Sequence, residues 1–368
     1  MQKHKFFLTF LFLFLTGAIF IFHVAQVKKD IFTKFNGSYW TQRYNQSQWV
    51  VPNSKNSIGD DGLYMYAGYS YMMGSDPSLL NAELPPLGKY LVGLFEITTG
   101  YTGTFSLFFT ALSLILFFFV SKFLLKSSLW ASVSCFLLAI DPLFIAQIRA
   151  AYLDTLYLSV FLGIVLSYFY KKYYLVAILT GCFMAVKSPF LVVLVYIALL
   201  GGMWLRKEFR VKRVAIMIAV TVVVYLATYL QTFLHGHDFI YFLKVQKYIL
   251  HFYSVGAKGV IGAVYPMLLT GTWYTWFSPV QHVAEWSLLW GIAFLESIIG
   301  IVLSVINRKK EKEWLFVSIW LVVYFAFLTI TPIFARYLLL ALPFLYNLSI
   351  WVFLKSTVHN SLFSSYFS

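Results

Sequence analysis

The sequence predicts an all-α integral membrane protein, and three observations carry that prediction. Hydrophobic residues make up 60% of the 368 positions and charged residues only 11%, with a mean hydropathy of +0.77, far from the balance of a water-soluble domain. The apolar residues are gathered into runs, most of them long enough to cross ~30 Å of hydrocarbon. Lys and Arg concentrate in alternate loops between these runs, the arrangement by which a polytopic chain sets its orientation. The formal charge of +14 is accounted for by those loops, so the expected partner is the lipid bilayer and not nucleic acid. Cys135 and Cys182 lie in apolar runs without metal-ligand spacing and read as small core residues.

In chain order, Lys3 and Lys5 precede an apolar run from Phe6 to Val24. It lacks the short apolar region and small-x-small exit of a cleaved signal, so it reads as a retained anchor. Residues 28–86 turn polar and aromatic and read as a loop on the far side of the membrane. Within it Leu63, Ala67 and Tyr71 recur every four residues, the pattern of a short helix along the membrane surface. Pro85 and Pro86 break the chain and favour a helix just after them. Further apolar runs follow at Thr104–Leu125, Leu129–Ala146, Tyr152–Tyr170, Tyr174–Val186, Phe190–Leu205, Val214–Leu234, Trp286–Ile306, Trp314–Ile330 and Tyr337–Leu354, which with the first makes about ten spans. Residues 235–284 form a late loop on the same far side. Basic residues on the N-terminal side, among them Lys122, Lys126, Lys171, Lys172, Arg206, Arg210, Arg308 and Lys309, put both termini in the cytoplasm. No repeat or separate soluble domain interrupts the chain, which reads as one domain over 1–368.

Acids are scarce, which makes Asp60-Asp61-Gly62-Leu63-Tyr64 conspicuous. Its two carboxylates open a Tyr-rich segment that ends in Glu83-Leu84-Pro85-Pro86-Leu87-Gly88-Lys89-Tyr90. An acidic pair with an aromatic four positions after the first acid, followed by Pro-Pro-Leu-Gly-Lys, resembles the polyprenyl-phosphate-sugar glycosyltransferases of the GT-C fold, in particular the protein O-mannosyltransferases. Asp61 stands where that family has Glu, and Leu84 where it has His. The resemblance implies a GT-C bundle with short surface helices in its extracytoplasmic loops, in a membrane such as a prokaryotic plasma membrane. It implies inverting transfer of mannose or a related hexose from a polyprenyl-phosphate donor to a protein, glycan or lipid hydroxyl at the extracytoplasmic face. Asp60 matches the acid that serves as general base, with Asp61 orienting it, coordinating an ion or substituting for it; a helix N-cap and first-turn acid is the structural alternative for the pair. The family needs no metal, while related oligosaccharyltransferases hold a divalent cation between acids.

The remaining candidates lie on the same expected face. Glu83 and Lys89 belong to the resembling segment and are expected near donor phosphate or substrate. Arg149 and Asp154 flank the outer end of a hairpin, where the family carries a similar Arg and Leu-Asp; they either pair with one another or form part of the site. Asp141, before Pro142, reads as a hydrogen-bonded structural acid. Lys187, followed by Pro189, either presents a cation to a cavity or snorkels to the interface. Arg336 is either an interfacial anchor or a phosphate ligand, for which its planar fork is suited. Lys244, Lys247 and His251 make a basic stripe at helical spacing, fit for acidic headgroups or for a lipid's phosphate. Trp273 and Trp276 read as an aromatic belt or as a wall of the donor site. A flippase or transporter of lipid-linked sugars is the competing class, for which paired charges near the bilayer midplane and an internal repeat are expected.

Overall fold

The computed structural model describes residues 2–255, 259–275 and 280–364. It is a bundle of helices with a single two-stranded ribbon among the described residues. The N-terminal part comprises α1 (Gln2–Gln26), α2 (Lys28–Ile31), α3 (Gly37–Asn45), α4 (Asp60–Met72), α5 (Leu87–Thr99) and α6 (Thr104–Leu125). Then come α7 (Ser128–Ala139), α8 (Pro142–Ala146) with a 3-10 turn at Gln147–Arg149, α9 (Asp154–Phe169), α10 (Tyr173–Val186), α11 (Leu191–Leu205) and α12 (Val211–Ala227). After α13 (Leu230–Leu234), the late loop holds α14 (Phe239–Val255), α15 (Val264–Thr270), and strands β1 (Thr272–Trp273) and β2 (Gln281–His282), paired antiparallel. The chain ends with α16 (Leu288–Ile306), α17 (Lys312–Ile330), a 3-10 turn at Ala335–Leu340, and α18 (Leu342–Ser364).

Four helices, α1, α6, α16 and α17, are long and apolar enough to cross a membrane. A fifth span is present if α7 and the Pro142–Arg149 segment, bent by 61°, are counted together, and α9, α10 and α11 are shorter apolar helices. Several apolar runs of the sequence are therefore interrupted. The Leu129–Ala146 run breaks where Asp141 caps α8, its carboxylate accepting from Phe144 N at 3.0 Å and from Trp290 Nε1 at 2.7 Å. Pro142 fits at the first position of α8, where no amide donor is needed. The Val214–Leu234 run divides between α12 and α13, and the last run opens as a 3-10 turn.

The core joins α6 to α7 and α9, α10 to α9 and α12, α11 to α17, and α16 to α18. Trp290, Trp314, Trp320 and Phe161 are fully buried within it. The outer faces are apolar too: Phe6, Phe10, Phe14 and Ile21 of α1, Val223 of α12, and Leu295 and Ile299 of α16 are exposed. Helices apolar on both faces need lipid, not water, around them.

The stripe Leu63, Ala67 and Tyr71 is consumed inside the protein, since all three residues are buried and the Tyr71 ring packs 5.2 Å from Tyr90 of α5. Two glycines bring α4 onto α5: a Cβ on Gly68 would stand 2.4 Å from Lys89 O, and one on Gly93 would stand 2.2 Å from Gly68 O. Such close crossing of small residues is a packing device of membrane helices. It fixes the direction of α4, and so the place of the acids at its head.

Candidate active site

Four chain segments deliver charge to one place. Asp60 opens α4 and Asp154 opens α9, positions where the positive end of a helix favours a carboxylate. Lys187 stands just past α10, which ends there because Pro189 disfavours continued helix. Arg336 lies in the 3-10 turn after an extended stretch at Thr331 and Phe334. Gly88 helps the segments close up, because a Cβ there would meet the Leu153 side chain at 2.9 Å and Val186 O at 3.0 Å. Those two residues immediately precede Asp154 and Lys187.

The side chains form a continuous alternation of charge. Arg336 Nη2 donates to Asp60 Oδ2 at 2.6 Å, Arg336 Nε lies 4.0 Å from Asp154 Oδ2, and Lys187 Nζ donates to Asp154 Oδ1 at 2.5 Å. The sequence allowed Arg149 as the partner of Asp154; the structure gives it Lys187 and Arg336. Aromatic rings wall the cations. Arg336 lies 5.4 Å from the Tyr152 ring and 5.0 Å from Phe334, and Lys187 is 5.3 Å from Tyr337, within range of cation–π attraction.

Burial works against the charge of Arg336, and the neighbouring Asp154 and Asp60 carboxylates prevail and raise its pKa. For Lys187 the balance runs the other way. Burial lowers its pKa, with Arg336 adding to the effect and Asp154 opposing it. Arg336 Nε is buried yet has no hydrogen-bond partner among the described residues. A buried donor left open beside a second cation is the arrangement an incoming phosphate oxygen would complete. The same set does not fit a divalent ion: Arg336 already bridges the two carboxylates, and Lys187 adds a second positive charge. No three His, Cys, Asp or Glu side chains converge elsewhere among the described residues.

Asp61 makes no ion pair with this group, although it and Arg336 both act on the neighbouring Tyr152 hydroxyl. Successive helical residues diverge by ~100°, and Asp61 lines a separate cleft of ≈ 280 Å³ together with the exposed Arg149. Glu83 and Lys89 form a neighbouring group, which Asp60 reaches only through its charge, adding to the rise in the Glu83 pKa that burial causes. Lys89 is fully buried and donates from Nζ to Asn81 O at 2.6 Å and Leu84 O at 2.9 Å, while Asn81 Nδ2 donates to Glu83 Oε1. Burial lowers the Lys89 pKa to about 7 against the pull of Glu83, and burial likewise raises that of Glu83. The pair ties the 81–84 turn to α5.

The late loop contributes from outside. Trp273 Nε1 donates to Ile333 O at 2.6 Å, and its ring lies 5.6 Å from Phe334, so it holds the segment leading into Arg336. His251 is exposed on α14 beside Lys244 and Lys247, while Phe242, Val245 and Ile249 of that helix are buried in a cluster with Tyr225 and Tyr229 of the α12–α13 region. Trp276 lies outside the described residues. Sequence reasoning did not single out Tyr152 or Phe334, whose only signal was proximity to Asp154 and Arg336 in the chain.

No protein family's sequence profile matches the chain, and no curated protein sequence does. Solved structures do. ArnT from Cupriavidus metallidurans bound to undecaprenyl phosphate superposes with a TM-score of 0.61 at 12% identity, over 93% of this chain and 59% of that one. The apo state of the same protein gives 0.58 at 13% identity, over 80% and 55%. The archaeal oligosaccharyltransferase AglB from Archaeoglobus fulgidus, in complex with an inhibitory peptide and a dolichol-phosphate, gives 0.53 at 12% identity, over 95% and 52%. The chain thus spans between about half and three fifths of the length of these proteins. It is a multi-pass integral membrane protein with the GT-C fold.

Proposed function

We propose that the protein is a glycosyltransferase that moves a sugar from a polyprenyl phosphate to an acceptor hydroxyl. The open Arg336 Nε, buried beside Lys187 and between Asp60 and Asp154, carries the reading. Polyprenyl-type phosphates are bound by two of the structures of similar fold, which supports the same lipid class as donor here. In this reading Arg336 and Lys187 hold the phosphate. Asp60 accepts the proton of the acceptor hydroxyl as its oxygen attacks the anomeric carbon. The bond from that carbon to the phosphate oxygen breaks, and the electron pair leaves with the polyprenyl phosphate, whose charge the two cations neutralise. A single displacement inverts the anomeric centre. Asp154 keeps Lys187 and Arg336 in place and would exchange its share of their charge for that of the donor.

One observation favours Asp61 as the base instead: Asp60 is engaged by Arg336, whereas Asp61 makes no ion pair among the described residues. A carboxylate with no bonded cation keeps its oxygens open to an acceptor hydroxyl. The expected sugar is mannose or a related hexose. The expected topology has cytoplasmic termini and the site on the extracytoplasmic face of a prokaryotic plasma membrane, with residues 1–368 acting as one domain. Incubation of purified protein with radiolabelled polyprenyl-phosphate mannose and a panel of hydroxyl acceptors tests the reading. Label appearing in an acceptor with equimolar release of polyprenyl phosphate supports it. Movement of intact donor across a vesicle membrane without cleavage would replace it with the flippase reading.

A further inference from the structure

The cleft beside Asp61 is built from three segments. Residues 30–40 form one wall and are pinned to the 100–103 turn by backbone bonds from Phe35 N to Gly100 O at 2.9 Å, Thr102 N to Thr33 O at 3.1 Å and Gly103 N to Ile31 O at 3.0 Å. The head of α4 and the 3-10 turn carrying Arg149 supply the others. Trp40 is seated directly on the backbone next to Asp61, since a Cβ on Gly62 would stand 2.7 Å from its ring. Tyr39, half exposed, lies edge-on to Trp40 at 5.1 Å.

The charged groups of this cleft are Asp30, Asp61, Lys34 and Arg149, and among the described residues none of them forms an ion pair. Two carboxylates and two cations cancel, so a phosphate would meet the acids and a metal ion would meet the bases. A neutral group bearing many hydroxyls uses both signs, because each hydroxyl donates to a carboxylate and accepts from a cation. Aromatic faces suit the apolar faces of sugar rings. The volume of ≈ 280 Å³ lies just below the ~300–1,000 Å³ of clefts for drug-sized molecules, the scale of one or two sugar rings. An extended peptide needs a long groove or an open strand edge, and the backbone of residues 31–35 is already paired.

We infer that this cleft is the acceptor subsite and that it takes the saccharide part of a glycan or glycolipid. The inference rests on the transferase reading: with donor phosphate at Arg336 and Lys187, Asp60 stands beside the donor where the attacking hydroxyl arrives, and the adjacent Asp61 lines the cleft that holds the rest of the acceptor. It also gives Arg149 to the acceptor, apart from the Asp154 with which the sequence grouped it.

The full chain labelled with 5-fluorotryptophan, in lipid nanodiscs, provides the test, with Trp40→Phe assigning the Trp40 fluorine resonance. The probes are methyl glycosides and disaccharides of the common hexoses, a Ser/Thr-rich peptide, inorganic phosphate and Mg²⁺. The expected result is a saturable shift of the Trp40 resonance with a glycoside, weakened at least ~tenfold in Arg149→Gln by loss of a charged hydrogen bond, with undecaprenyl phosphate affinity unchanged in that variant. A Trp40 resonance that answers to peptide, phosphate or Mg²⁺ but to no glycoside, or that answers to none of the probes, overturns the assignment. So does an Arg149→Gln variant whose deficit lies in undecaprenyl phosphate binding. Failure of the unsubstituted chain to bind undecaprenyl phosphate falls instead on the transferase reading.

Discussion

Replacing Arg336 with Gln is the most direct perturbation of the proposed donor site. The side chain is 19% exposed, holds Asp60 at 2.6 Å and approaches Asp154 at 4.0 Å through an otherwise open Nε. A guanidinium has five donors, so Nη2 can stay on Asp60 while the remaining edge takes phosphate oxygens. Gln keeps one donor and loses the charge. Truncating one partner of a buried charged pair costs ~2–5 kcal/mol, which at 1.4 kcal/mol per decade weakens donor affinity by at least ~30-fold. Equilibrium binding of radiolabelled undecaprenyl phosphate, which carries the donor's lipid and phosphate without its sugar, to nanodisc-embedded protein measures the phosphate contact, with the thermal unfolding midpoint as a check on folding. Arg336→Lys keeps charge but not the fork, and should fall between Gln and the natural residue. Because Asp60 and Arg336 touch, Asp60→Asn and Arg336→Gln should be non-additive by ~1–3 kcal/mol. Donor affinity within threefold of the natural protein in both Arg336 variants would refute the phosphate assignment.

Asp60→Asn should keep donor binding and lose roughly 10²–10⁴ in turnover. If Asp61 is the base, that loss moves to Asp61→Asn, and natural rates in both variants would remove catalysis from the head of α4. The lowered pKa of Lys187 sets the sign of a pH effect: its positive charge is present at low pH and is lost as pH rises through that lowered value. Donor affinity should therefore fall on the alkaline side below the ordinary lysine range, and Lys187→Arg should remove the fall; a pH profile unchanged by that substitution counts against a phosphate contact. For orientation, cysteine at exposed Ser57 should react with an impermeant thiol reagent added to intact cells, and cysteine at Lys309 should not; the opposite pattern would put the acids in the cytoplasm.

How much of this was legible before folding differs by kind of feature. Composition and run length announce a helical membrane bundle, because burial in lipid demands apolar surface on every outer face. They do not show where a run breaks. The Leu129–Ala146 run looks continuous, and only Asp141-Pro142 hints at the 61° bend. Likewise Asp60, Asp154, Lys187 and Arg336 stand out as costly charges in an apolar chain, but their pairing does not, since Asp60 and Arg336 are 276 positions apart and meet only through the packing of α4 on α5, α5 on α10, and α9 on α10 and on the Ala335–Leu340 turn. The lysine of Pro-Pro-Leu-Gly-Lys shows the limit most plainly. Its partners are the carbonyls of Asn81 and Leu84, and a carbonyl leaves no mark in a sequence.

On the proposed reading, the adjacency of Asp60 and Asp61 lets one short stretch serve two substrates. On a helix the two side chains leave the axis ~100° apart, so a single backbone position sends one carboxylate to the Arg336–Lys187 side and the other to the Arg149 cleft. The Gly68–Gly93 crossing holds that helix against α5 with little slack, so neither acid can be moved without moving the other. Rotating α4 would break the Asp60 contact to Arg336 and the Asp61 wall of the cleft together. Gly68→Ala therefore provides a test of coupling at a residue that belongs to neither site. Its new Cβ would lie 2.4 Å from Lys89 O, an overpacking that costs ~1–3 kcal/mol and forces α4 to shift. Donor affinity and glycoside binding should then decline together in protein that still folds. Loss of one with the other intact would mean that the two acids are positioned independently, and that their neighbourhood in the chain carries no mechanistic weight.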